Sequence, residues 1–593
     1  MLKDCIEIFR ENFKQEGEAY ILDNYVPKDG TYIIVRKTAD GFRAEEPFDI
    51  RYDKKSKTLM GRDHSQFREV CFFDYYSKLI EMNKPMDSGK IIHSNNYLSF
   101  AVKKESVKAG KLKEEIIEGY FQTLEDPTQK YKKAKSRALY MEVEQDLGTV
   151  DTQLLNEIKG WIIEHIFSLD IDWEKKDYLK LYFALEDPIR TKELYKQESK
   201  RYNTVNIYNN NDFNLEIDET TFGLPNDNMG MNSKKPYLAN RKRGPIELPY
   251  LLNREEVLMQ AQFFDYLMCM VSVGKYDIYF DTTKQTIKGL RPGESLDRAT
   301  TGYYMRLRKE KNEVAILDFQ TVAYHSPNLE RPFSYKAFLK VDEKDEDCRI
   351  NQRNDLEALI DEILFNNCLR SNYFTDPGDL MIKDGVLSNN LLMARERLHS
   401  WLYTKDGTDV AALLDRVSEE MIYHSITEGF FKKAKKQLNL RWSLHDYFTE
   451  KDEMEGTMEK LENVIKELVR KKAGEWDFTS DEEYYFAVGQ LVSYFMAKSK
   501  AAKKSRSFIH PFINMNNDRQ IKQELIRLLE KYGYNMLIGE IYASRLFSRV
   551  VRYEPISPDI NRILIAAGFM EDNVLFEKQD KEKKNEAKTE GGK

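Results

Sequence analysis

Strand-like and helix-like patterning divide this chain at one place, and that division limits the folds open to it. Up to residue 341, short apolar runs of period two recur between helical stretches. Past the acidic run Asp342–Asp347 (DEKDED), nearly every apolar residue falls on a helical period. Strands must bury a face and helices a stripe, so the expected class is α+β. It comprises a mixed α/β N-terminal body with short antiparallel strands and hairpins, then an all-α C-terminal helical bundle. The expected division is 1–345 as the α+β body, 346–453 as a helical middle region, 454–576 as the C-terminal bundle and 577–593 as a charged, disordered tail.

Within the body, EAYILDNYV and GTYIIVRK flank Pro27-Lys28-Asp29-Gly30 and read as a hairpin. FDIRYD, NYLSFAV and YLKLYFAL read as further strands, with helices at 65–83, 140–169 and 254–273. Two more hairpins are expected, YDIYF with TIKGL and GYYMRLR with EVAILDFQTVAY, the latter turning near Lys311-Asn312. The helical part reads as 356–372, 390–403, 410–438, 458–472, 481–504, 521–532 and 537–551. The N-terminus, MLKDCIEIFRENFKQ, is an amphipathic helix with Cys5, Ile8 and Phe9 on one face rather than a signal peptide. No apolar run reaches the ~18 residues of a membrane span. Five widely spaced cysteines without a CxxC pair point to reduced thiols and a cytoplasmic protein.

The net charge is −7, which argues against a polyanion partner until the positive charge is mapped. Lys103–Lys113 holds five lysines against one acid, and Lys130–Arg137, Lys234–Arg243, Lys432–Arg441 and Lys498–Arg506 hold no acid at all. Each cluster alone is an ordinary solvated surface, but five in an acidic chain favour a polyanion track. Tyrosine, at 35 residues, outnumbers phenylalanine and tryptophan, which suits base stacking and wet interfaces.

Reactive constellations are missing. The eight histidines are scattered without HExxH spacing, and there is no GxGxxG, GxxxxGK[ST] or GxSxG. His325, after the strand AILDFQTVAY, is the best isolated acid–base candidate, although a hydrogen-bonded strand-end histidine is the commoner role. Asp318 has no second carboxylate in sequence to share a metal. No metal, no cofactor and no catalysis are expected.

Two segments carry the binding expectation. In the first, Asn226, Asn228 and Asn232 offer amides to base edges and Gly230 permits close backbone approach. Lys234 and Lys235 supply phosphate charge, Tyr237 a stacking face, and Arg241, Lys242 and Arg243 a second cationic step before Pro245. The rival reading is a linker punctuated by Pro and Asn. In the second, Ser480 and Glu483 form a capping box, and Tyr484, Val488, Leu491 and Phe495 make an apolar stripe. Lys498, Lys500, Lys503, Lys504 and Arg506 follow as a cationic lobe, with Lys500, Lys503 and Lys504 on one helical face, and Pro511 closes the segment. Its rival reading is a solvated helix end complementing the dipole.

FAVGQLVSYFMAKSKAAKKSRSFIHPFINMNN (residues 486–517) resembles the C-terminal region of the large subunit, subtype b, of type I-B CRISPR surveillance complexes (type I-B Cascade). FGLPNDNMGMNSKKPYLANRKRGPIELPYLL (222–252) resembles an upstream segment of that family, in the same order. The resemblance covers most of the chain in layout but matches residues only in these two segments, neither of them catalytic. It implies a non-catalytic subunit that helps recognise the protospacer-adjacent motif, supports R-loop formation and helps recruit a separate helicase-nuclease in antiviral defence. Implied partners are CRISPR RNA, target DNA and the other Cascade subunits, with no membrane. The region after residue 453 resembles the family's small subunit, which implies a second product, free copies of the C-terminal fragment, starting near Met458. Met454-Glu455-Gly456 is encoded ATG GAR GGN, which contains GGAGG when Glu455 uses GAG, and the charged TEKDEMEGTM suggests that a cut there severs little core. The rival classes are a metal-dependent nuclease with dispersed carboxylates and a protein-only scaffold.

Overall fold

The computed structural model describes residues 1–53, 58–79, 85–208, 211, 214–226, 251–310, 313–341, 347–404, 409–451, 456–471, 477–500, 505–533 and 540–576. The fold is α+β. The chain forms two compact units, Met1–Pro292 with Thr301–Thr321, and Gly293–Thr300 with Val322–Lys593. The expected tail, 577–593, and the turn at Lys311-Asn312 lie outside the described residues. No helix among the described residues is long and apolar enough to cross a membrane.

In the first unit the central sheet runs in the order Thr58–Met60, Phe48–Asp53, Gly30–Thr38, Tyr178–Ala184, Ser99–Lys103, with Gly41–Ala44 paired to Gly30–Thr38. Its two middle strands are parallel, with Gly30 opposite Tyr178 and Arg36 opposite Ala184. The body is mixed, as expected, and this parallel pair joins antiparallel neighbours. TYIIV and LKLYFA are buried on both faces, the near-continuous apolar pattern of a covered sheet rather than the alternation of a half-exposed one. The hairpin expected across Pro27–Gly30 does not form, because Ala19–Leu22 is helical. There Tyr20 stacks on Tyr266 at 4.7 Å and Ile21 is buried, so tertiary packing overrides a strand-like run. The hairpin Asp277–Asp281 with Thr286–Leu290 forms as expected. Helix Leu2–Glu16 buries Cys5, Ile8 and Phe9 in the same cluster as Phe263 and Leu267 of helix Arg254–Ser272.

Two long expected helices are each broken by a glycine at positive φ. The 140–169 stretch splits into Ala134–Leu147 and Thr152–His165 at Gly148 (φ 80°), and 410–438 splits into Val410–Thr427 and Phe431–Thr449 at Gly429 (φ 83°). Among its described residues the second unit is mainly helical; it also holds the end of strand Val314–His325 and the strands Asn328–Tyr335 and Cys348–Gln352, which pair antiparallel. Neither was expected as a strand, and Cys348–Gln352 carries the weaker signal. Its residues are mostly exposed and polar, so no apolar period marks it.

One core of the second unit joins helices on both sides of residue 458. Ile422, Ile426, Ala434, Leu438 and Trp442 share a cluster with Met458, Leu461, Ile465, Tyr484, Phe508, Leu546 and Phe569. A cut at Met458 would therefore sever core, contrary to the sequence expectation. The charged run before Met458 concealed this because the severed contacts come from helices further upstream. A fragment of residues 458–593 expressed alone should self-associate or aggregate, whereas 322–593, which keeps the Leu356–Leu391 core as well, should elute as a monomer. A monomeric, cooperatively melting 458–593 would show that the 410–449 helices are dispensable.

Candidate functional site

Most residues of the first predicted segment, Asn228, Asn232, Lys234, Lys235, Tyr237, Arg241, Lys242 and Arg243, lie outside the described residues. Asn226 is described and is buried. Its backbone N–H donates to Ile207 O at 2.8 Å and its amide donates to Asn206 O at 3.3 Å, so it ties this segment to the end of helix Pro188–Asn206.

In the second segment, helix Asp481–Lys498 stops earlier than expected, with Ser499 extended at φ −73°, ψ 140°. Lys500 is therefore past the helix end and solvent-exposed, and the expected helical face does not extend through it. Lys498 donates to Glu540 and sits 5.1 Å from the Tyr494 ring centroid, so its charge is already partnered. Lys503 and Lys504 lie outside the described residues, and Arg506 belongs to helix Ser505–Ile513. Pro511 stands inside that helix rather than ending it.

The first unit holds a cavity of about 1260 Å³ that sequence reading did not find. Strand Tyr178–Ala184 turns Tyr178, Lys180 and Tyr182 onto it, three residues of one face by the period of two. Helix Phe67–Ser77 adds Asp74, Tyr75 and Tyr76, helix Pro188–Asn206 adds Lys196, Lys200 and Asn203, and helix Arg254–Ser272 adds Phe264, Asp265 and Met268. Lys28 comes from the turn before Gly30, and Lys309 from the end of strand Thr300–Lys309.

Asp74 organises one wall. Its carboxylate accepts from Lys180 Nζ, from Tyr182 Oη at 2.7 Å and from Tyr25 Oη at 3.0 Å. Burial alone would raise its pKa, but the Lys180 ammonium and these donors outweigh it and hold the carboxyl below its usual range. Burial, and then the Asp74 charge, push Tyr25 and Tyr182 well above the usual tyrosine range, so both stay protonated donors. Asp265 is likewise occupied, by Lys78 at 2.5 Å and Tyr75 Oη at 3.0 Å, and Lys196 pairs with Glu18.

Three cavity lysines remain. Lys28, Lys200 and Lys309 have no carboxylate partner among the described residues. Lys28 is exposed at the cavity's lining, where desolvation and then Lys180 lower its pKa. Desolvation in the same cavity lowers Lys309. The Tyr178 ring lies 5.8 Å from both Lys28 Nζ and Lys180 Nζ. The available signal was the lysine inside YLKLYFAL: a charge at an inward strand position must be paired or face a cavity. The remaining lining residues are far apart in sequence and carry no local motif.

His325 is buried, and burial followed by Arg353 lowers its pKa to about 4, so the imidazole is neutral near pH 7. Asp318 accepts from Gln320 Nε2 at 2.8 Å. Among the described residues no cluster of three or more His, Cys, Asp or Glu side chains is placed to hold a metal ion. Comparison of the chain with protein-family models, with curated proteins and with solved structures finds no match.

Proposed function

We propose that this chain is the non-catalytic large subunit of a type I-B CRISPR RNA-guided surveillance complex, acting in the cytoplasm through nucleic-acid contacts. In this reading it helps recognise the protospacer-adjacent motif and supports R-loop formation, while a separate helicase-nuclease cuts the DNA. The class comes from the resemblance of segments 222–252 and 486–517. The physical observation that carries nucleic-acid binding is the cavity in which unpaired lysines stand among tyrosine rings. Stacking faces beside cations serve strands of any sequence. Guide pairing reads the target sequence and leaves the protein a short duplex element.

The test reverses the charges of Lys234, Lys235, Arg241 and Arg243 in the assembled complex. Target-duplex binding should weaken sharply, and its salt slope should flatten by about 0.9 per lost phosphate contact. Pure chain with Mg²⁺ or Mn²⁺ should leave duplex and single-stranded DNA intact. Wild-type duplex binding by the quadruple variant would reduce the 226–243 segment to a linker. Cleavage abolished by one carboxylate substitution would replace this reading with a nuclease.

A further inference from the structure

We propose that the cavity of the first unit is a nucleotide site, taking phosphate-bearing nucleotides either free or as a short stretch of single strand; the second source rests on the nucleic-acid reading above. The argument is one of matched chemistry. At about 1260 Å³ the cavity exceeds the roughly 300–1,000 Å³ typical of small-molecule pockets, so it has room for more than one nucleotide unit.

Its charges do not cancel. Lys180 is matched by Asp74, Lys78 by Asp265 and Lys196 by Glu18. Among the described lining residues, Lys28, Lys200 and Lys309 face only Asp29, which accepts from Tyr52 N–H at 2.8 Å, and Glu313. A neutral apolar occupant would strip water from three ammonium groups and return no counter-charge. An acidic peptide would meet the ammonium groups but bring no aromatic ring to the lining tyrosines Tyr178, Tyr76 and Tyr276. A nucleotide meets both. Its base can stack on a ring such as Tyr178, and its phosphate lies within reach of the flanking ammonium groups. Asp74, with its three donors, holds Lys180 in place before any ligand arrives, which lowers the ordering cost of binding.

The experiment uses the full chain and a fluorescein-labelled eight-nucleotide single strand, as RNA and as DNA, followed by anisotropy. The cavity variant is Lys28→Ala/Lys200→Ala/Lys309→Ala. These side chains are exposed and without ion pairs, so folding should survive, and matching melting curves verify it. The control variant, Lys3→Ala/Lys14→Ala/Lys284→Ala, loses the same charge from exposed positions off the cavity and outside the five basic clusters. The cavity variant should bind at least ~10-fold more weakly, with a salt slope flatter by about 2, at about 0.7 per phosphate on single strands. The control should match wild type.

Unlabelled AMP and ATP distinguish the sources. Displacement of the probe by either one assigns the site to free nucleotides as well; displacement only by an unlabelled eight-mer assigns it to strands. Equal strand and nucleotide binding by the cavity and control variants, with duplex binding intact in the assembled complex, would overturn the cavity site and leave the broader reading standing. Cavity-dependent binding of ATP with no strand or duplex binding would do the reverse.

Discussion

Replacing Gly489 with Ala should destabilise the second unit by about 3 kcal/mol, although the same change in an open helix stabilises. Gly489 lies in helix Asp481–Lys498, where it meets helix Arg562–Met570 backbone to backbone. A Cβ there would fall 2.2 Å from Ile565 O and 2.6 Å from Phe569 N; across the crossing, a Cβ on Gly568 would fall 2.2 Å from Phe486 O. Neither obstacle is a side chain that can swing away, so the helices must separate and loosen the apolar face around Phe486, Ile565 and Phe569. Gln490 beside it is fully buried and donates to Gly568 O at 2.7 Å, while its Oε1 accepts from Val574 N–H at 3.0 Å, fixing the crossing's register. Gly160, in helix Thr152–His165, has nothing within 4 Å of its would-be Cβ. Gly160→Ala should stabilise the first unit by about 0.5–1 kcal/mol. Hydrogen exchange resolved by unit measures both changes. Equal effects of the two substitutions would dismiss the close crossing.

The same pair of glycines marks what a single sequence can and cannot say. The stripe Tyr484, Val488, Leu491, Phe495 is legible as a buried helix face, and all four residues are buried. Gly489 between them reads as a helix weakness, because the partner that needs its bare backbone is some 80 residues away in sequence. The α+β division was legible because the period of apolar residues changes along the chain, and the Asp277–Leu290 hairpin because its turn is local. The parallel pairing of Gly30–Thr38 with Tyr178–Ala184 was not, since no local signal records which distant strand a buried run joins. The FAVGQ residues that support the family resemblance are occupied in helix packing. The candidate site follows the same rule. Basic clusters are visible in sequence because their charges are adjacent, whereas the cavity assembles Lys28, Lys180, Lys200 and Lys309 from separate elements.

Removing Lys180 alone should cost the first unit about 3–5 kcal/mol, the penalty of leaving a buried charge without its counter-ion. Lys180 and Asp74 are both at least nine-tenths buried, and Lys180→Met leaves Asp74 with only the hydroxyls of Tyr25 and Tyr182. Asp74→Leu alone should be comparably severe, since it strands the ammonium. The double variant should recover much of the loss, because well-packed apolar replacements can match a buried pair. Acid gives an independent check. In the wild type the Asp74 pKa is depressed, so its contribution is full above the unfolded value of about 3.9 and fades as pH falls through the folded value. In Lys180→Met the buried carboxyl, without its cation, should titrate above the ordinary range, so acid neutralises it early. The stability gap between variant and wild type should therefore narrow as pH is lowered from 7 toward 4. Urea titrations across that range, followed by proteolysis of the first unit, measure it. A gap that stays constant with pH would mean that Lys180 acts through packing of its stem rather than through charge, and a double variant no better than the singles would mean that the pair's geometry, not its neutrality, holds this wall of the cavity.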